Sequence, residues 1–249
     1  MQPDPDRTIY VKFVCKACGH TFPRKLRRIY VDAPTLDRYI NKEPASHSEF
    51  IIPRPIECTR CKAVNQAELT GYDKTMIRMS AVLRGMFATS TPDDPVQVVK
   101  FTYDGKVMHP LDALAYYQKL VERKPDYLPH RLRYANTLRT IGHWDEAEDQ
   151  YRFIVEKDAT QLDAWYNLAI IAFARKQKRA ARQALENLVA NALSSKDPDR
   201  EVLEQDAKDI LAGVLPYETL SMDLFLVRDS SPKQEKAQGK KRLRRRGKR

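Results

Sequence analysis

The chain has 249 residues, 42% of them apolar and 31% charged, enough for one large or two small domains with buried cores. No apolar run approaches the ~20 residues of a membrane-spanning helix, and MQPDPDRTIY at the start carries no secretory leader, so the expected compartment is cytoplasmic, with no membrane partner. The net charge of +11 is uneven: the last fourteen residues, KAQGKKRLRRRGKR, hold nine Lys or Arg and no acid, which leaves the rest nearly neutral at +2.

In chain order, TIYVKFVC at 8–15 is β-branched and aromatic with rough alternation and reads as a strand. RRIYVD at 27–32 is a second strand-like run, APTLDRYIN at 33–41 a short helix and EPASHSE at 43–49 a loop. FIIPRPIEC at 50–58 runs extended, since its prolines exclude a helix and a central strand. NQAELTGYDKTMIRMSAVL at 65–83 reads as strand material broken by a turn signal, GYD. TSTPDDP closes the region, and VQVVKFTYDGKVMH reads as a small hairpin turning at Asp104-Gly105.

The four cysteines form two pairs, Cys15/Cys18 in CKACGHTF and Cys58/Cys61 in CTRCKA. A Cys-x-x-Cys turn brings two thiolates to one ion, and two such turns complete a tetrahedral set. Gly19 suits the tight bend after the first pair; Lys62 is a small departure after the second. A redox dithiol needs a βαβ unit that is not visible here, and disulfides need an oxidising compartment. The expectation is one structural Zn2+ held by Cys15, Cys18, Cys58 and Cys61 in a ribbon, with His20 and His47 as bystanders because four thiols already fill the ion.

From about residue 110 the chain repeats itself. Ala113, Ala147 and Ala181 are spaced by 34 residues, as are Tyr117, Tyr151 and Leu185, and Leu120, Ile154 and Leu188. This pattern resembles the tetratricopeptide repeat, with Trp165, Leu168 and Ala169 on a first helix, Ala147 or Ala181 on a second, Gly142 between helices and Pro125 closing. The copies are a half-repeat at 110–126, full repeats at 128–161 (with Arg131 in place of the tryptophan) and 162–195, and a capping helix at 198–214. Asp197 before Pro198 signals the start of that last helix. Its stripe is Leu203, Ala207, Ile210, Leu211 and Val214. More distantly, VCKACGHTF, Leu36–Ile40, ECTRCKAVNQAEL and Tyr72-Asp73 resemble the bacterial CpXC cysteine-pair domain, with Lys16 and Thr59 where that family has proline. That resemblance implies a fold and no activity. The layout expected is α+β in two domains: a β-rich zinc-ribbon-like domain at 1–88, a linker with hairpin at 89–109, and an all-α tetratricopeptide helical-hairpin solenoid at 110–215. A docking segment with a basic disordered tail follows at 216–249.

The tetratricopeptide resemblance implies a peptide-binding groove including Leu132, Asn136, Arg139, Tyr166, Asn167, Ile170 and Phe173. Asn136 and Asn167 stand where carboxylate-gripping members place two asparagines. The basic members of that clamp are absent, with Leu132, Asp197 and Glu201 in their places. LSMDLFLVRD at 220–229 is apolar enough to dock on the array. The tail cations Lys240, Lys241, Arg242, Arg244, Arg245 and Arg246 attract phosphate without reading bases, and Arg24, Lys25, Arg27 and Arg28 in PRKLRR add a basic cluster beside the first thiol pair. No phosphate loop, nucleophile elbow or His/carboxylate metal spacing is present. The expected role is therefore non-enzymatic, a protein–protein interaction scaffold. The second reading is a protein that binds RNA, DNA or a ribosome through its basic segments.

Overall fold

β1 (Ile9–Cys15) alternates buried Val11, Phe13 and Cys15 with outward Tyr10, Lys12 and Val14, as a strand with one face on a core must. The computed structural model describes residues 8–87, 91 and 94–213; the expected docking segment and basic tail lie outside the described residues. β1 pairs antiparallel with β2 (Thr21–Leu26) on one side and, beyond β4 (Phe50–Ile51) in the chain, with β5 (Ala67–Leu69) on the other. β2 was not among the expected strands, and it contains Pro23. The proline is tolerated there because β2 lies at the edge of the β2-β1-β5 sheet.

β3 (Ile29–Asp32) pairs antiparallel with β4 and parallel with β6 (Val96–Val99). Val96–Val99, expected in a hairpin, thus completes a second sheet. Only β7 (Thr102–Tyr103) and β8 (Lys106–Val107) form the hairpin, at Asp104-Gly105. α1 (Ala33–Ile40) is capped by Asp32, whose carboxylate accepts from the Thr35 amide.

Of the stretch read as strand material broken at GYD, Ala67–Leu69 is a strand as expected, while the part from Gly71 on is instead a helix, α2 (Gly71–Phe87). Thr70 caps it: its hydroxyl accepts from the Asp73 amide and donates to the Asp73 carboxylate, which also accepts from the Lys12 amide and so ties the start of the helix to β1. Asp73, Ile77 and Ala81 face the sheet at helical spacing, while Tyr72, Met76, Met79 and Leu83 form an exposed stripe. The turn signal was the first turn of a helix.

Among the described residues six helices follow: α3 (Pro110–Arg123), α4 (Leu128–Thr140), α5 (Trp144–Lys157), α6 (Leu162–Ala174), α7 (Lys178–Ala192) and α8 (Arg200–Leu211), each packed against the next. The starts of α3, α5 and α7 are 34 residues apart, as are those of α4 and α6. The small residues Ala113, Ala147 and Ala181 are wholly buried, and so are Tyr151, Ile154, Leu185 and Leu188. α8 begins two residues later than Pro198 suggested. Asp199 precedes its first turn, and Asp197 accepts the Asp199 amide in the approach to it. Leu203, Ala207 and Ile210 are its buried stripe; Val214 lies outside the described residues.

α4 ends in a Schellman motif, with the His143 amide bonded to the Leu138 carbonyl and Gly142 to Arg139. α6 ends the same way, with Gln177 bonded to Ala172 and Lys176 to Phe173. Gly142 has φ +82°, and Lys176 has φ +62°. A small cluster of Tyr30, Ile51 and Phe101, packed against Ile141, joins the sheets to the helices.

Candidate metal centre and the adjoining cleft

The four cysteines converge. Their sulfurs all lie within 4.8 Å of one another, with Cys15 Sγ 3.6 Å from Cys61 Sγ and Cys18 Sγ 3.7 Å from Cys58 Sγ. A tetrahedral ion with bonds of roughly 2.3 Å sets its sulfurs about 3.8 Å apart. The soft donor set and the spacing both fit a single Zn2+, held by Cys15, Cys18, Cys58 and Cys61 as a cross-link. His20 is no ligand; its ring bonds Thr59 Oγ1 at 3.1 Å and ties one knuckle to the other.

The two knuckles are built alike. Cys15 N bonds His20 O and Gly19 N bonds Cys15 O; Cys58 N bonds Ala63 O and Lys62 N bonds Cys58 O. Gly19 (φ +68°) and Lys62 (φ +64°) occupy equivalent left-handed positions. Lys62 therefore bears the strain that Gly19 avoids.

Four thiols pressed together split their acidities. Burial pushes the Cys58 thiol up, but amide hydrogen bonds from Cys61 and Arg60, together with its thiol neighbours, bring it down to about 6. Cys61 is lowered by the Ala63 amide, yet Cys18, burial, Cys15 and Cys58 together push it up to about 12. A divalent cation removes this conflict by taking all four as thiolates.

The second knuckle is wired to the helices. Asn65 Oδ1 accepts from Ile56 N, and its Nδ2 donates to the Gly142 carbonyl at 3.2 Å. Trp144 Nε1 donates to the Pro53 carbonyl. Asn65 was missed in the sequence reading; its legible signal was an asparagine just past a knuckle, a residue that tolerates the left-handed backbone it adopts (φ +54°).

PRKLRR is divided by the pleat. Arg24 bonds the Glu57 carbonyl beside Cys58 and lies over the Phe22 ring, and Arg28 bonds the Asp94 carbonyl. Lys25 and Arg27 are exposed. Lys240, Lys241, Arg242, Arg244, Arg245 and Arg246 lie outside the described residues.

The groove residues also part company. Leu132, Asn136 and Arg139 line a cleft of about 720 Å³, whose other walls are Val99–Asp104 and the turns at 158–163 and 194–199. Tyr166, Asn167 and Ile170 are buried in the helical core, and Phe173 packs against it. Asn167 donates to the Asp163 carbonyl one turn back, and Asn136 accepts from Tyr151 Oη at 2.7 Å. The two asparagines thus do different jobs, one bracing α6 and one at the cleft wall.

No family model, no curated protein and no solved structure matches the chain. No helix among the described residues is long and apolar enough to cross a membrane.

Proposed function

We propose that the protein is a non-enzymatic adaptor whose helical array, built like a short tetratricopeptide solenoid, takes a segment of a partner protein in the cleft beside α4. The observation that carries this reading is the cleft itself, about 720 Å³ with mixed polar and apolar walls. One wall, Val99–Asp104, leads from the end of the edge strand β6 into the β7–β8 hairpin, and an edge strand of that kind can pair with a bound peptide. The exposed stripe Tyr72, Met76, Met79 and Leu83 on α2 adds support, since contiguous apolar surface commonly marks a contact. In this reading zinc is a staple: it shapes the second knuckle, and the knuckle holds residues 52–56 against the α4–α5 turn.

The test fills the cleft. Thr102 and Ser194 are exposed residues of its wall, so Thr102→Trp with Ser194→Trp blocks it and leaves both cores intact. Cross-linking in native extract, quantified by mass spectrometry, should recover partner peptides cross-linked near the cleft from the wild type and lose them from the double variant. Identical cross-links from both proteins would sink the reading.

A further inference from the structure

The outward face of the first sheet carries a pattern that the basic run alone did not reveal. Side chains on one side of β1 and β2 stand in register: Tyr10 opposite Lys25, Lys12 opposite Pro23, Val14 opposite Thr21. Tyr10, Lys12, Thr21, Pro23 and Lys25 are exposed, Tyr10 to 71%. The Lys25 ammonium lies 5.7 Å from the centre of that ring, and Arg27, just past the strand, is exposed as well. Lys16, at the other end of β1, has a side chain 65% exposed. Among the described residues, the carboxylate of β5 on this face, Glu68, is met by Lys74 at 3.1 Å and Lys16 at 3.9 Å. Its charge is therefore answered locally, and Lys12, Lys25 and Arg27 retain theirs.

We infer that the outer face of the β2-β1-β5 sheet binds single-stranded nucleic acid, with Lys12, Lys25 and Arg27 tracking phosphates and Tyr10 stacking on an unpaired base. Three physical features favour this partner. An open aromatic ring on a basic sheet face is a stacking platform, usable by any base that is not already paired. Alternate residues of β1 stand about 6.8 Å apart, an interval comparable with successive phosphates of an extended strand. A lipid surface fits less well, because the face offers no cluster of large apolar side chains to insert. A duplex keeps its bases stacked and leaves Tyr10 nothing to receive. The face shares no residue with the cleft, so the failure of either assignment leaves the other standing.

The experiment measures anisotropy of a labelled mixed-sequence RNA, about 16 nucleotides long, with the full chain between about 50 and 200 mM salt. The same RNA as a duplex, phosphatidylserine vesicles and polyglutamate are run alongside. Tyr10→Ala is expected to weaken single-strand binding about tenfold, leave duplex binding unchanged, and be rescued by Tyr10→Phe. Lys12→Gln with Lys25→Gln is expected to flatten the salt dependence by about 1.4 in the log–log slope. The assignment is overturned if Tyr10→Ala leaves single-strand affinity intact, as binding by the tail alone predicts. It is equally overturned if the variant weakens duplex as much as single strand, or if vesicles or polyglutamate bind the wild type as tightly as RNA does.

Discussion

A Cβ on Gly142 would sit 2.5 Å from the carbonyl oxygen of Arg54 and 2.9 Å from that of Ile52. The α4–α5 turn and the approach to the second knuckle touch backbone to backbone, and the Gly142 carbonyl accepts from Asn65 at the same point. Gly142→Ala therefore adds a clash with immovable backbone to the strain of a left-handed residue. Expected is a loss of more than about 2 kcal/mol in urea unfolding. A loss under about 1 kcal/mol would mean that the two halves part easily there.

Lys176 sits at the same point of the next helical turn, and Lys62 at the equivalent point of the second knuckle, both with positive φ. Neither needs its side chain to hold the turn; Lys62 makes only an exposed ion pair with Glu57. Lys176→Gly and Lys62→Gly should each raise stability by about 0.5–1 kcal/mol. The mirror change, Gly19→Ala, should lower it by about 1 kcal/mol through backbone strain alone, because nothing lies within 4 Å of the added Cβ.

Zinc removal should be felt across the molecule. Trp144 donates to the Pro53 carbonyl, in the segment that leads into the second knuckle. A chelator, or Cys58→Ser, should therefore red-shift Trp144 emission in a Trp165→Phe background while α6 and α7 keep their circular dichroism. Metal analysis of the wild type should find about one zinc per chain. Less than half an equivalent, with ordered structure indifferent to chelation, contradicts the cross-link.

His109 makes stability depend on pH. Its Nδ1 accepts from Leu111 N as the cap of α3, and its Nε2 donates to the Ser48 carbonyl, so the neutral ring is required. Burial lowers its pKa below the ordinary 6.5, against opposing pulls from the Ser48 carbonyl, Asp32 and Asp112, while His47, stacked at 4.6 Å, adds to the lowering. A depressed histidine contributes stability that is present above its unfolded value and lost as pH falls through the folded one. The melting temperature should hold above neutrality and drop on acidification below 6.5. His109→Asn, which can still cap α3, should flatten that drop.

The 34-residue interval was legible because small and large apolar residues recur at the same phase, and the helices begin at the same phase. The four ligands were legible because two short-range pairs need nothing distant to identify them. The start of α2 was misread because Thr70, Gly71 and Asp73 have identical composition as a turn and as a capped first turn of a helix; only the hydrogen bonds back to Thr70 separate the two. β6 was misassigned because parallel pairing with Ile29–Asp32 joins segments far apart in the chain, which no local pattern records.

What the residues determine by themselves is therefore local or periodic: the thiol turns, the helix phase, the sign of each charge. What they leave open is which side of an element meets another. Burial of Asn167 and Ile170 against exposure of the cleft beside Asn136 follows from how α4 and α6 pack, and a period of 34 is blind to that. The division of PRKLRR, with Arg24 turned inward to Glu57 and Lys25 outward to Tyr10, follows from the pleat of β2 and its register with β1. Tertiary contact decides these matters because a side chain's direction is set by the strand or helix face it stands on, and which face is buried depends on partners that the neighbouring residues do not encode.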